Sequence, residues 1–113
     1  MVNRGAIILK YKEPFIKWAN EADPVKDGSD VNLEMANQDR TVYLVSDQAA
    51  EHLEDWISKN FSTLFEAELD GWYTDEALWP KERDLKTFNE WFAVECHSVI
   101  LDTVGGQIFD DEI

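Results

Sequence analysis

The sequence predicts an α+β fold, a two-layer sandwich in which a three- or four-stranded sheet carries its helices on one face. Three observations support this. Ala6-Ile7-Ile8-Leu9 and Thr41-Val42-Tyr43-Leu44-Val45 are apolar, β-branched runs of strand length. Apolar residues elsewhere recur at three- and four-residue intervals, as on one face of a helix. The chain has 113 residues, of which 44% are hydrophobic and 12% aromatic. A domain of that size buries roughly two-thirds of its unfolded surface and needs neither metal nor disulfide to fold. Residues 1–113 therefore read as a single domain, with 105–113 as an acidic C-terminal tail.

Taken in order, Ala6 to Leu9 forms a buried strand that ends at Lys10-Tyr11. Pro14 suits the first turn of a helix, and Phe15, Trp18, Ala19 and Ala22 give residues 14–22 an amphipathic face. Residues 23–30 carry turn chemistry. Val31, Leu33 and Met35 alternate with polar or small residues, over a run too short to separate a strand from one helical turn. If that run is extended, the order is β-α-β-β-α-β, as in ferredoxin-like folds; if it is helical, a three-stranded sheet remains.

Thr41 to Val45 is the clearest strand. Ser46 and Asp47 are good caps for a long helical stretch through Ala49, Leu53, Trp56, Ile57, Leu64 and Phe65, with a break near Asn60. Glu51, Glu54, Asp55, Glu66 and Glu68 are expected on its outer face, and Gly71 is expected to end it. Thr74-Asp75-Glu76 looks like a second cap, leading into a brief turn to Trp79 that Pro80 stops. Asp84 caps a helix through Leu85, Phe88, Trp91 and Phe92. Val94 to Thr103 reads as the last strand, broken by Gly105-Gly106.

The net charge is −14, from 10 Lys and Arg against 24 Asp and Glu. A basic footprint for nucleic acid or for an anionic membrane is thereby excluded. The charge serves solubility, or steers a basic protein partner. A lone cysteine, Cys96, allows no intrachain disulfide. The apolar run before Lys10 is too short for a signal peptide, and no stretch approaches a membrane span. A cytoplasmic location is expected.

Three places are candidate sites. Gly71 to Asp84 mixes aromatics and carboxylates in a loop-like segment. There Trp72, Tyr73, Asp75, Glu76 and Trp79 could bind a ligand. The structural alternative is a satellite core of Trp72, Tyr73 and Trp79, with Asp75 and Glu76 charging a helix start. The second place is Glu95-Cys96-His97. Alternation puts Glu95 and His97 on one face of the last strand, where they could act as an acid/base pair, or bind a metal with Asp102 or Asp75. The spacing matches no zinc pattern, and a structural His hydrogen-bonded to a carboxylate is the plainer reading. Cys96, facing the other way, reads as a buried apolar residue rather than a nucleophile. The third place is Asp23, Asp27, Gly28 and Glu34, which fall at positions 1, 5, 6 and 12 of a calcium loop. Val25 and Asp30 at positions 3 and 8 break the pattern, which reads as coincidence. No metal site and no cofactor is expected. No Gly-rich phosphate loop, HExxH, CxxC or GxSxG is present.

The stretch Gly71-Trp72-Tyr73-Thr74-Asp75-Glu76-Ala77-Leu78-Trp79-Pro80 is followed by Phe88-Asn89-Glu90-Trp91-Phe92 and Glu95-Cys96-His97-Ser98. Together with Thr41-Val42-Tyr43-Leu44, it is similar to a family of short, acidic, uncharacterised bacterial proteins. The resemblance covers the chain from about residue 40 onward. It implies a bacterial cytosolic protein and supplies no catalytic residue.

The function expected first is a non-enzymatic protein-interaction module with an acidic helix face and the 72–79 aromatics as its contact surface. Two alternatives stand beside it. One is a small-ligand binder, or an acid/base or metal-dependent enzyme, built from Glu95, His97 and Asp75 near Trp72 and Trp79. The other is a homo-oligomer that uses the aromatic patch as its self-interface.

Overall fold

A computed structural model describes residues 1–25 and 30–109. The calcium-loop positions Asp27 and Gly28, and tail residues 110–113, lie outside the described residues. The two-layer α+β class holds. Among the described residues the sheet has three strands, β1 (Arg4–Tyr11), β2 (Val42–Ser46) and β3 (Phe92–His97), in the order β2-β1-β3. Both pairings are antiparallel. Ile7 lies between Tyr43 and Cys96, Leu9 opposite Val94, and Tyr11 opposite Phe92. Because side chains alternate, these residues share the inner face with Gly5 and Val45. Ala6, Ile8, Lys10, Val42, Leu44, Ala93, Glu95 and His97 take the outer face.

The helices cover the inner face. Helix α1 (Glu13–Ala22) starts with Pro14 in its first turn and buries Phe15, Ile16 and Ala19. Helix α2 (Leu33–Ala36) settles the alternative at residues 31–35 in favour of helix, so the ferredoxin-like order does not form. The Asn32 side chain accepts the Met35 amide at 2.8 Å. The Asn20 side chain brackets Val31, accepting its N–H at 3.0 Å and donating to its carbonyl at 2.9 Å. Those two bonds take the backbone groups that a strand at Val31 would offer a neighbour.

Ser46 caps α3 (Asp47–Glu51), its hydroxyl accepting the Ala49 amide at 3.1 Å. The long helical stretch breaks at His52, not at Asn60, and resumes as α4 (Leu53–Trp72). Asn60 stays helical, its side chain donating to the Trp56 carbonyl at 2.8 Å. Gly71 lies within the last turn of α4 instead of ending it. A 3-10 turn, Glu76–Leu78, leads to α5 (Leu85–Trp91), capped by Asp84 through the Thr87 amide at 2.8 Å. Phe92 leaves the helix and opens β3 directly. The last strand therefore runs over 92–97 rather than 94–103. Past His97 the chain continues beside the start of β1 through one backbone bond, Val2 N–H to the Ile100 carbonyl, at 2.8 Å. Gly106 has a φ of 103°, a left-handed turn that glycine adopts without strain.

The core is aromatic. Phe15, Phe65, Phe88 and Phe92 are almost wholly buried. Phe65 meets Phe92 edge-on at 5.4 Å between centroids, and Phe15 meets Phe92 at 5.3 Å. Such pairs add about 0.5–1.5 kcal/mol each to their burial. Among the described residues, no helix is long and apolar enough to cross a membrane.

Candidate ligand site between the sheet and the long helix

Glu68 is the buried charged residue of the described core, 5% exposed. It follows Leu64 by four residues and Phe65 by three, so the helical repeat turns it inward with them. This corrects its expected place on the outer face of the helix. An isolated carboxylate there would be costly, and three donors offset that cost. Tyr11 Oη donates to Oε1 at 2.8 Å. Arg40 Nη2 donates to Oε1, and Tyr43 Oη donates to Oε2.

Each donor is itself held in place. β1 and β2 point Tyr11 and Tyr43 from the inner face of the sheet toward α4. Trp72, one turn beyond Glu68, donates its Nε1–H to Tyr11 Oη at 2.9 Å. Asn37 clamps the backbone of Tyr11, accepting its N–H at 2.9 Å and donating to its carbonyl at 3.1 Å. Arg40 donates Nε–H to the Leu9 carbonyl at 2.9 Å and lays its guanidinium over the Tyr11 ring at 3.8 Å. Burial is the main cause that pushes the hydroxyls of both tyrosines well above the usual phenol range. Donation to Glu68 adds to this in both. At neutral pH both are neutral donors, and the Arg40–Glu68 pair carries no net charge.

An open cavity of about 470 Å³ lies over this cluster. Its walls include Ala36, Ala67 and Gly71, with Asp39 and Thr41 as further polar groups. A Cβ at Gly71 would meet nothing within 4 Å, so the small residue leaves the mouth open. Arg40 Nη1 has no hydrogen-bond partner among the described residues. No fully buried side-chain N or O atom of the described residues lacks a partner, so Nη1 keeps some contact with solvent although the Arg40 side chain is only 10% exposed.

The residues expected from the sequence fall elsewhere, with one exception. Trp72 lines the cavity. Tyr73 donates its hydroxyl to the Ala19 carbonyl, and burial raises its pKa. Trp79 Nε1 donates to the Tyr73 carbonyl at 2.8 Å, and Trp18 Nε1 to the Leu78 carbonyl at 3.0 Å. Those bonds bind the 72–79 segment to α1 as a satellite of the core. Asp75 accepts the Ala77 amide at 3.0 Å within its own turn, and Glu76 is exposed in the next. Glu95 and His97 do meet, Oε1 to Nε2 at 2.8 Å, on the outer face of β3, with Lys10 Nζ 3.9 Å from Glu95 Oε2. Asp75 makes no hydrogen bond to this pair, and Asp102 bonds the Val104 amide instead. Cys96 is half-buried on the inner face. Among the described residues, no group of three or more His, Cys, Asp or Glu side chains is placed to hold a metal ion.

Arg40, Tyr11, Tyr43 and Glu68 were not singled out by sequence reasoning. The signal was present only for Glu68, as a carboxylate at i+4 from Leu64 within an apolar stripe. No family model, curated protein or solved structure matches this chain.

Proposed function

We propose that the protein is a non-enzymatic binding protein whose cavity beside Arg40 takes a small uncharged molecule with a carbonyl-type acceptor. The observation that supports this is Arg40, which lines the cavity and whose Nη1 makes no hydrogen bond among the described residues. Glu68 cancels the charge of Arg40, and Asp39 adds a negative one, so an anionic ligand is disfavoured. Burial pushes the hydroxyls of Tyr11 and Tyr43 up, so near neutral pH they hold their protons and serve as donors. The test is an amide NMR titration of the whole chain with N-methylacetamide and with uracil as probes. Saturable shifts at Thr41, Gly71 and the Trp72 indole are expected. They should vanish in Gly71→Leu, whose Cβ meets nothing within 4 Å and whose side chain narrows the mouth. Shifts that grow linearly without saturation count against the reading.

A second reading, the acidic interaction module, is favoured by a separate groove of about 390 Å³ between α4, α5 and β3. Leu53, Ile57, Leu85 and Val94 form its apolar part, with Glu54 beside them. On a chain of charge −14, this suits an aliphatic side chain carried by a basic partner segment. A Lys/Leu-rich amphipathic peptide should bind at low salt, and Leu85→Glu should weaken it about tenfold. Undiminished binding to Leu85→Glu argues for charge attraction alone.

A further inference from the structure

The helices leave the outer face of the sheet uncovered. Val42 and Leu44 are 52% and 54% exposed there. The register joins them into rows, Leu44–Ala6–His97 and Val42–Ile8–Glu95, with Lys10 opposite Ala93. Past the last pair, Ala6–His97, one backbone bond joins Val2 N–H to the Ile100 carbonyl, shifted by one residue from the register of the ladder. Val99 is 66% exposed. The face is therefore apolar on β2 and β1, through Val42, Leu44 and Ile8, while β3 presents Ala93, Glu95 and His97. Its carboxylate, Glu95, already faces Lys10 and His97. Arg4 and Lys10 against Glu95 make this a slightly basic face on a chain of charge −14, so two such faces meet with little of the repulsion found elsewhere.

Beyond β3, residues 98–109 form an arm without helix or strand. Leu101, Val104, Ile108 and Phe109 on it are 66% to 75% exposed. The sheet face alone offers on the order of 300 Å² by strand spacing and rise, against roughly 800 Å² per partner in a standard interface. The apolar side chains of the arm are the surface that makes up the difference.

We propose that two copies of the chain pack through the outer faces of their sheets, each laying its 98–109 arm along the other. Such a contact is two-fold and self-complementary, and it places a second sheet where one layer is open. It uses neither the Arg40 cavity nor the α4–α5 groove, so it stands or falls independently of both. It also differs from the self-interface expected from the sequence, since it leaves the 72–79 aromatics out of the contact.

Sedimentation equilibrium on the whole chain, from micromolar to near-millimolar concentration, tests it. A monomer–dimer equilibrium is expected. Leu44→Lys and Val42→Lys should each weaken association by about tenfold or more, and so should the pair Ile108→Ser and Phe109→Ser. Leu44 and Val42 are half-exposed, so each variant should keep the near-ultraviolet circular dichroism of the parent monomer; if one does not fold, the other decides. A wild-type chain that stays monomeric throughout overturns the proposal. So does a dimer that both lysine variants leave unchanged.

Discussion

Glu68 is read correctly only if the helix is phased from Leu64 and Phe65 rather than from its acidic neighbours. Once inside, its carboxylate depends on Arg40, a residue 28 positions earlier. That pairing is a property of the folded chain and is not legible in the sequence around either residue. It carries a direct energetic consequence. Removing one partner strands the other charge where little of its side chain reaches water, whereas removing both does not. Glu68→Leu should lower unfolding free energy by about 3–5 kcal/mol. The double variant Glu68→Leu with Arg40→Met should recover most of that loss, as urea denaturation would measure. A double variant as unstable as the single one would mean that the tyrosine bonds, not the ion pair, carry the site. The tyrosines give a second expectation, in alkali. Burial and donation to Glu68 raise both pKa values above the ordinary 10.0. The unfolded chain releases these protons near 10.0 and the folded chain holds them. The stabilisation is thus complete below pH 10.0 and is lost as pH rises beyond it. Thermal melts of the parent should fall across that range, and Tyr43→Phe, with one fewer such group, should fall less steeply.

At the scale of the element, local chemistry was readable and partner-dependent chemistry was not. The Ser46 and Asp84 caps were legible because a cap is settled within three residues. The ends of β3 were not, because a strand stops where its neighbour stops offering a ladder, and β1 lies some eighty residues away. The helix at 33–36 was ambiguous until Asn20 was seen holding Val31. Gly71 misled because a glycine near a helix end resembles a C-terminal stop, while here the helix passes through it. That position yields a clean expectation. With open space around the missing Cβ, Gly71→Ala should raise stability by about 0.5–1 kcal/mol through helix propensity. Asp84→Ala, which removes the carboxylate that accepts the Thr87 amide, should lower it by about 1 kcal/mol. Denaturant midpoints moving in opposite directions with unchanged slopes would bear this out. A loss in Gly71→Ala would reveal a constraint at the cavity mouth.

For the molecule as a whole, the fold class followed from two β-branched runs and a helical repeat, while the charge of −14 sets conditions under which that fold persists. Twenty-four acidic residues meet ten basic ones. Several of the ion pairs that do form, Lys17–Glu21, Lys59–Asp55 and Lys86–Glu90, are exposed single-helix pairs. Each of these is worth at most a few tenths of a kcal/mol. The unbalanced charge acts in the opposite direction, since folding draws like charges together. Salt weakens both effects over a Debye length of about 10 Å at 0.1 M. The few short pairs lose little, and the widespread repulsion loses more. Sodium chloride added from low ionic strength should therefore raise the unfolding free energy, by about 1 kcal/mol before it levels off. Choline chloride at the same ionic strength should do the same, because the effect is screening and not cation binding. A rise specific to sodium would point to an ion held at a site. A fall with both salts would mean that the local pairs outweigh the net charge, and that the acidic surface is better balanced than its composition implies.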